Sequence, residues 1–215
     1  MARTACLIGL LAYGIEALTA SPDGALSRFL ARPPERPDSY TAERRLEAAS
    51  PRLRKHGWLT AITRFVNGQF EFRVTGSGGS ELIVTRVLRA ALEAEREALG
   101  RDPRASALST RNYIFSLDTS GRTRITPRRP DPLLVDGLLL LTDDGDLVGI
   151  QGRLSKAPSF WTTDVNVERA YARIIGVRVP VRMSSTAKVR FAGTSTFAMT
   201  YTYTEINGIA VEGSQ

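Results

Sequence analysis

The chain has little of what catalytic and metal-binding proteins usually draw on. Its 215 residues include one histidine, His56, and one cysteine, Cys6. A single cysteine closes no disulfide within the chain, and without a Cys/His cluster a zinc site has no ligand set. His56 lies between Lys55 and Gly57 in a predicted turn, where a solvated surface role fits better than catalysis. No spacing ties it to a serine and a carboxylate, and no Gly-x-Ser-x-Gly elbow occurs. Past the first 20 residues no apolar run approaches the roughly 20 residues of a spanning helix. There is also no internal repeat, no low-complexity tract and no linker that would demand two domains.

What remains is ordinary for a folded domain: 42% hydrophobic and 24% charged residues argue against disorder. The net charge of +7 comes mostly from scattered arginines, with short clusters only at Arg44-Arg45, Arg52 with Arg54-Lys55, and Arg128-Arg129. No nucleic-acid-binding motif accompanies them, so a solvated basic face is expected and no nucleic-acid partner.

The start of the chain reads as a secretory signal peptide. Arg3 precedes an apolar run from Ala5 to Ile15, and Ala17-Leu18-Thr19-Ala20 closes it with mostly small residues. Glu16 and Leu18 depart from the ideal pattern, and the competing reading is a short buried helix. Export predicts a signal over residues 1–20, one domain over 21–215, and a periplasmic or secreted location. The mature chain then has no cysteine and no transmembrane span, and is indifferent to an oxidising compartment.

The last third carries the strongest pattern. Phe197, Met199, Tyr201 and Tyr203 alternate with Ala198, Thr200, Thr202 and Thr204, the period of two that sends one set to each face of a sheet. Strands are predicted over Val165–Ile174, Val177–Met183, Ala187–Ala192 and Thr196–Thr204. Earlier strands are predicted over Tyr40–Ala48, Asn112–Leu117, Arg122–Arg128, Leu133–Thr142 and Leu147–Leu154, with Asp136-Gly137 as a bulge or turn. Asn67-Gly68 marks a hairpin between Trp58–Phe65 and Gln69–Val74, since this pair readily takes positive φ at both turn centres. Leu26–Ala31 reads as one or two helical turns. The one strong helix is Glu81–Leu99, with Ser80 as N-cap and Gly100 as C-cap. Its apolar stripe is Val84, Val87, Leu88, Ala91, Leu92 and Leu99.

Three local patterns invite chemistry. Gly76-Ser77-Gly78-Gly79-Ser80 follows a strand and opens a helix, as a phosphate cradle does, but lacks a third glycine at the right spacing and a Walker lysine. A flexible strand-to-helix turn is the better reading. Asp143, Asp144 and Asp146 cluster like metal ligands, and equally like a tight turn, with no closing glutamate of a calcium loop. Phe160 and Trp161, beside Pro158, either plug the end of the core or rim a ligand mouth. No metal or cofactor is expected.

Gly78-Gly79-Ser80, Val135-Asp136-Gly137, Leu154-Ser155-Lys156-Ala157-Pro158-Ser159-Phe160-Trp161 and Ser195-Thr196-Phe197-Ala198-Met199-Thr200-Tyr201 resemble motifs of a group of uncharacterised exported bacterial proteins. The stretch from Val167 to Pro180, with the closing Asn207-Gly208, is similar to the periplasmic outer-membrane lipoprotein carrier and lipoprotein-sorting superfamily. That resemblance implies an α+β fold: a curved antiparallel sheet forming an open half-barrel, with a helix over its concave face. It implies a non-enzymatic protein that holds an apolar ligand, a lipid or the acyl chains of a lipoprotein, between sheet and helix, with envelope proteins as further partners.

The expected lining is Val189, Phe191, Phe197, Met199, Tyr201 and Tyr203, with Leu88 and Leu92 from the lid and Phe160 and Trp161 at the mouth. A helix of roughly 19 residues is only about 28 Å long, a narrow cover for a long curved sheet. That shortfall points to a ligand. The rival expectations are an envelope structural module whose helix fills the sheet, and an envelope hydrolase using His56.

Overall fold

The computed structural model describes residues 22–33, 35, 37–102, 104, 106–157 and 162–212. The expected signal segment, and Phe160 and Trp161 of the expected mouth, lie outside them. A short helix, Pro22–Ala31, leads to β1 (Ser39–Ser50), a 3-10 turn at Pro51–Leu53, β2 (Lys55–Val66) and β3 (Gln69–Gly79). The long helix follows, continuous over 21 residues: a turn at Glu81–Ile83, a π-helical stretch at Val84–Arg89 and an α-helix at Ala90–Arg101. The remaining strands are β4 (Tyr113–Leu117), β5 (Thr123–Pro127), β6 (Val135–Leu141), β7 (Leu147–Leu154), β8 (Thr162–Ile174), β9 (Val177–Val189), β10 (Gly193–Ile206) and the two-residue β11 (Ile209–Ala210).

All strand pairs are antiparallel, in one curved open sheet of order β3-β2-β1-β10-β9-β8-β7-β6-β5-β4, with β11 beside β10. The fold is therefore the expected α+β half-barrel type. Its topology explains where the long helix goes. Every other connection joins neighbours, but β3 and β4 are the two opposite edges. The chain between them has to traverse the sheet, and the apolar stripe decides which face it takes.

Turns set the register. Asn67 and Gly68 both have positive φ, as do Asn207 and Gly208, matching the two-residue hairpin turns that the dipeptides favour. The Asn207 side chain also accepts from the backbone N–H groups of Asp38 and Ser39, at 2.8 and 3.2 Å, fixing the entry to β1.

Several boundaries differ from the sequence reading. Val177–Met183 and Ala187–Ala192 are one strand as far as Val189, because Ser184, Ser185 and Thr186 stay paired with β8 and β10. Residues 190–192 are the turn, with Phe191 at positive φ. The long helix passes through Gly100 and ends at Arg101, with Asp102 extended. Ser80 stands at the helix start without a side-chain cap hydrogen bond. Asp136-Gly137 is neither bulge nor turn; Gly137 pairs with Gly152 inside the β6–β7 ladder. His56 is in β2, opposite Ala49, rather than in a turn.

The glycine-rich stretch belongs to β3 as far as Gly79. Its glycines serve packing: a Cβ on Gly78 would come within 2.8 Å of the Trp58 indole nitrogen, so the ring lies against a strand with no side chain there. This removes the phosphate-cradle reading.

Three apolar clusters hold the fold. Ile83, Leu88 and Leu92 of the long helix pack on Leu46, Leu59, Phe65, Phe70 and Met199, covering β1–β3 and β10. Phe29 of the short helix packs with Tyr113, Ile125, Leu139, Leu147 and Ile150, covering the β4–β7 side. Ala42, Val179, Tyr203 and Ile206 form a third cluster at the end of β10. Two helices therefore share the concave face, each over one half. No helix among the described residues is long and apolar enough to cross a membrane.

Candidate functional site

Where the two helical covers fail to meet, a cavity of about 450 Å³ remains, a volume typical of small-molecule sites. Its floor is the concave sheet: Tyr40, Arg44, Phe65, Arg169, Tyr171, Tyr201 and Tyr203. Its walls are Glu95 and Leu99 of the long helix, residues 106–110 of the connector, and Phe29, Leu30 and Arg32 of the short helix.

Alternation puts these groups inward. On β1, Ala42, Arg44, Leu46 and Ala48 are buried while Glu43, Arg45 and Glu47 are exposed. Arg44 therefore enters the core at a position its neighbours reserve for apolar side chains, and only 1% of its side chain is exposed. Its Nη1 donates to Glu95 Oε2 at 2.6 Å, and its Nη2 to Glu95 Oε1 at 3.2 Å and to the Tyr40 hydroxyl at 2.7 Å. The guanidinium also lies over the rings of Tyr201 and Phe70, 4.6 and 4.9 Å from their centroids. Burial works against its charge, but Glu95 and then Tyr201 and Tyr40 outweigh that and raise its pKa. Burial likewise raises the pKa values of Tyr40, Tyr201 and Tyr203, so these phenols stay neutral at physiological pH.

A second ionic group anchors the rim. Asp146 accepts from Arg173 at 2.8 Å and Arg178 at 2.6 Å, and pairs with Arg32 at 3.3 Å; Glu35 meets Arg173 at 3.0 Å and Arg178 at 3.4 Å. Hydrogen bonds from Arg173 and Arg178 hold the Asp146 carboxyl down at about 2. Arg28 and Arg32 donate to the carbonyls of Asp143 and Asp144, which ties the short helix to this turn. The acidic turn is thus a dock for arginines. Among the described residues no group of three or more His, Cys, Asp or Glu is placed to hold a metal ion.

The residues expected to line a ligand site separate. Tyr201 and Tyr203 border the cavity. Leu88, Leu92 and Met199 are buried in the packed cluster beneath the first half of the long helix. Phe197 packs against that cluster and borders a second cleft of about 400 Å³, whose rim includes His56 and Trp58. Val189 ends β9, half-buried, and Phe191 stands 78% exposed on the turn that follows. The sequence reading did not single out Glu95 or Arg169, and placed Arg44 in a basic cluster and in the alternation Tyr40, Ala42, Arg44, Leu46 without assigning it a site role. The available signal was parity: Arg44 shares it with Leu46, and Arg169 with Val165, Val167 and Tyr171. Glu95 falls three residues after Leu92 and four before Leu99, inside the apolar stripe.

No known protein-family model matches the chain, and no curated protein shows significant similarity to it.

Proposed function

We propose that the chain is a non-enzymatic binding protein of the bacterial envelope, which holds a lipid or the acyl chains of a lipoprotein between its concave sheet and its helices. The observation that carries this is the cavity left between the two covers, with Phe29, Phe65, Leu99, Leu108 and Val179 offering apolar wall. Each acyl methylene buried there contributes about 0.8 kcal/mol, so affinity needs no acid or base. Export rests on the signal-like residues 1–20, and the half-barrel architecture agrees with the resemblance to lipoprotein carriers.

The test is native mass spectrometry of the purified protein together with titration of a fluorescent fatty acid. Co-purified lipid or saturable binding is the expected result. Neither lipid nor binding would overturn the reading. In that case a structural module is favoured, because Ile83, Leu88 and Leu92 already fill the groove over β1–β3.

A further inference from the structure

The cavity is not evenly apolar, and its charges are unequal. Four arginines border it: Arg32, Arg44, Arg169 and Arg178. Three have carboxylate partners, Arg32 and Arg178 with Asp146 and Arg44 with Glu95. Arg169 has none within ion-pair distance among the described residues. Its contacts are the Tyr171 hydroxyl at 3.5 Å and the Met183 sulfur at 3.6 Å, neither of them a carboxylate. Glu95 acts on it electrostatically, but both Glu95 oxygens are engaged by Arg44. Tyr171 raises the pKa of Arg169 while burial opposes it, and an arginine keeps its proton in any case. The Tyr201 hydroxyl, also on the cavity floor, has no hydrogen-bond partner among the described residues.

A guanidinium held on the cavity floor among tyrosines, without a counter-charge of its own, is costly, and the cost falls when an anion arrives to pair with it. A purely apolar ligand would leave Arg169 more desolvated and still unpaired. A ligand with an anionic head relieves it, and the bidentate geometry of a guanidinium suits carboxylate or phosphate oxygens.

Building on the binding function proposed above, we infer that the cavity selects anionic amphiphiles, with the acidic head of the ligand seated on Arg169 and its acyl chain against the apolar wall. Hydrocarbon and neutral lipid are then poor ligands. A carboxylate head from a fatty acid and a phosphate head from a lipid share the chemistry.

The experiment compares dodecanoic acid, dodecyl phosphate and dodecan-1-ol, below their micelle concentrations, on the purified protein and on Arg169→Gln and Arg169→Lys. The unaltered protein is expected to bind at least one of the two anions about tenfold to a hundredfold more tightly than the alcohol. The better of them identifies the head chemistry. Arg169→Gln should abolish the preference, so that this variant binds the anion no more tightly than it binds the alcohol, while Arg169→Lys keeps part of the preference. Equal binding of all three by the unaltered protein would overturn this inference and leave the binding function standing; that comparison needs no variant to fold. A preference that survives in Arg169→Gln would also overturn it. If none of the three binds, both proposals fall.

Discussion

The guanidinium of Arg44 and the carboxylate of Glu95 meet across 51 residues of sequence, with two hydrogen bonds of 2.6 and 3.2 Å joining the middle of β1 to the long helix. The two ends of this pair are not equivalent. Arg44 is 1% exposed and Glu95 31%, so removing the acid strands a buried cation, whereas removing the arginine leaves an anion that water can still reach.

Glu95→Ala is therefore expected to cost more than Arg44→Met, about 3 kcal/mol by urea denaturation. The double variant Arg44→Met, Glu95→Leu should recover most of that loss, because it removes both charges and keeps the volume. A cost for Glu95→Ala below about 0.5 kcal/mol would make the pair no stronger than a surface contact.

The long helix presents two kinds of leucine, and they should behave differently. Leu88 and Leu92 are wholly buried, and truncation of either to alanine is expected to lower stability by about 2–5 kcal/mol. Leu99 is half-buried at the cavity. Leu99→Ala should change the denaturation midpoint little and weaken fatty-acid binding. A variant of Leu88 that folds normally and loses binding would instead return that residue to the lid role expected from sequence.

Much of this architecture was readable in the chain because its signals are local. Alternation along Thr196–Thr204, the Asn-Gly turns and the apolar stripe from Val84 to Leu99 each report one element, and the elements are there. The site was less readable because it depends on which elements face one another. Arg44 and Arg169 obey the inward parity of their strands, yet a charge at an inward position gives no hint of its partner until β1 and the helix are superposed. The role of the short helix was equally hidden. Leu26–Ala31 gave a weak local signal, and only Phe29 packed on Tyr113 and Leu147 shows that the short helix covers the half of the sheet the long helix leaves open.

The pairing of Gly137 with Gly152 makes a further prediction. A Cβ on Gly137 would fall 2.0 Å from the Gln151 carbonyl oxygen, and one on Gly152 2.3 Å from the Asp136 carbonyl oxygen. Backbone, not a flexible side chain, stands in the way. Gly137→Ala and Gly152→Ala should each destabilise by about 1–3 kcal/mol, the usual range for overpacking. Gly100→Ala should be neutral or stabilising, since that glycine lies in a helix with open space around it. Thermal unfolding of the three variants separates the cases, and an unaltered Gly137→Ala would mean that the β6–β7 spacing is wider than described.

Asp146 gives the last prediction its sign. Its carboxyl titrates at about 2 when folded, because Arg173 and Arg178 donate to the ionised form, and near 3.9 when unfolded. A depressed folded value means that the carboxylate stabilises the protein fully above the unfolded value. That contribution disappears as pH falls from about 4 to about 2. With the side chain 25% exposed, solvent screening reduces the contribution to on the order of 1 kcal/mol. Asp146→Asn should lose this amount at neutral pH and then show a shallower decline between pH 4 and pH 2 than the unaltered protein. The expected consequence is local before it is global. Asp146 holds Arg32, Arg173 and Arg178, so its protonation breaks the ion pair between Arg32 and the rim and leaves the end of the short helix tied to this turn by the bonds of Arg28 and Arg32 to the carbonyls of Asp143 and Asp144. Protection factors of residues 24–31, taken against the intrinsic exchange rate at each pH, should therefore fall on acidification before those of β1 and β10. Simultaneous loss of protection in all three would show that the arginine dock does not govern the short helix.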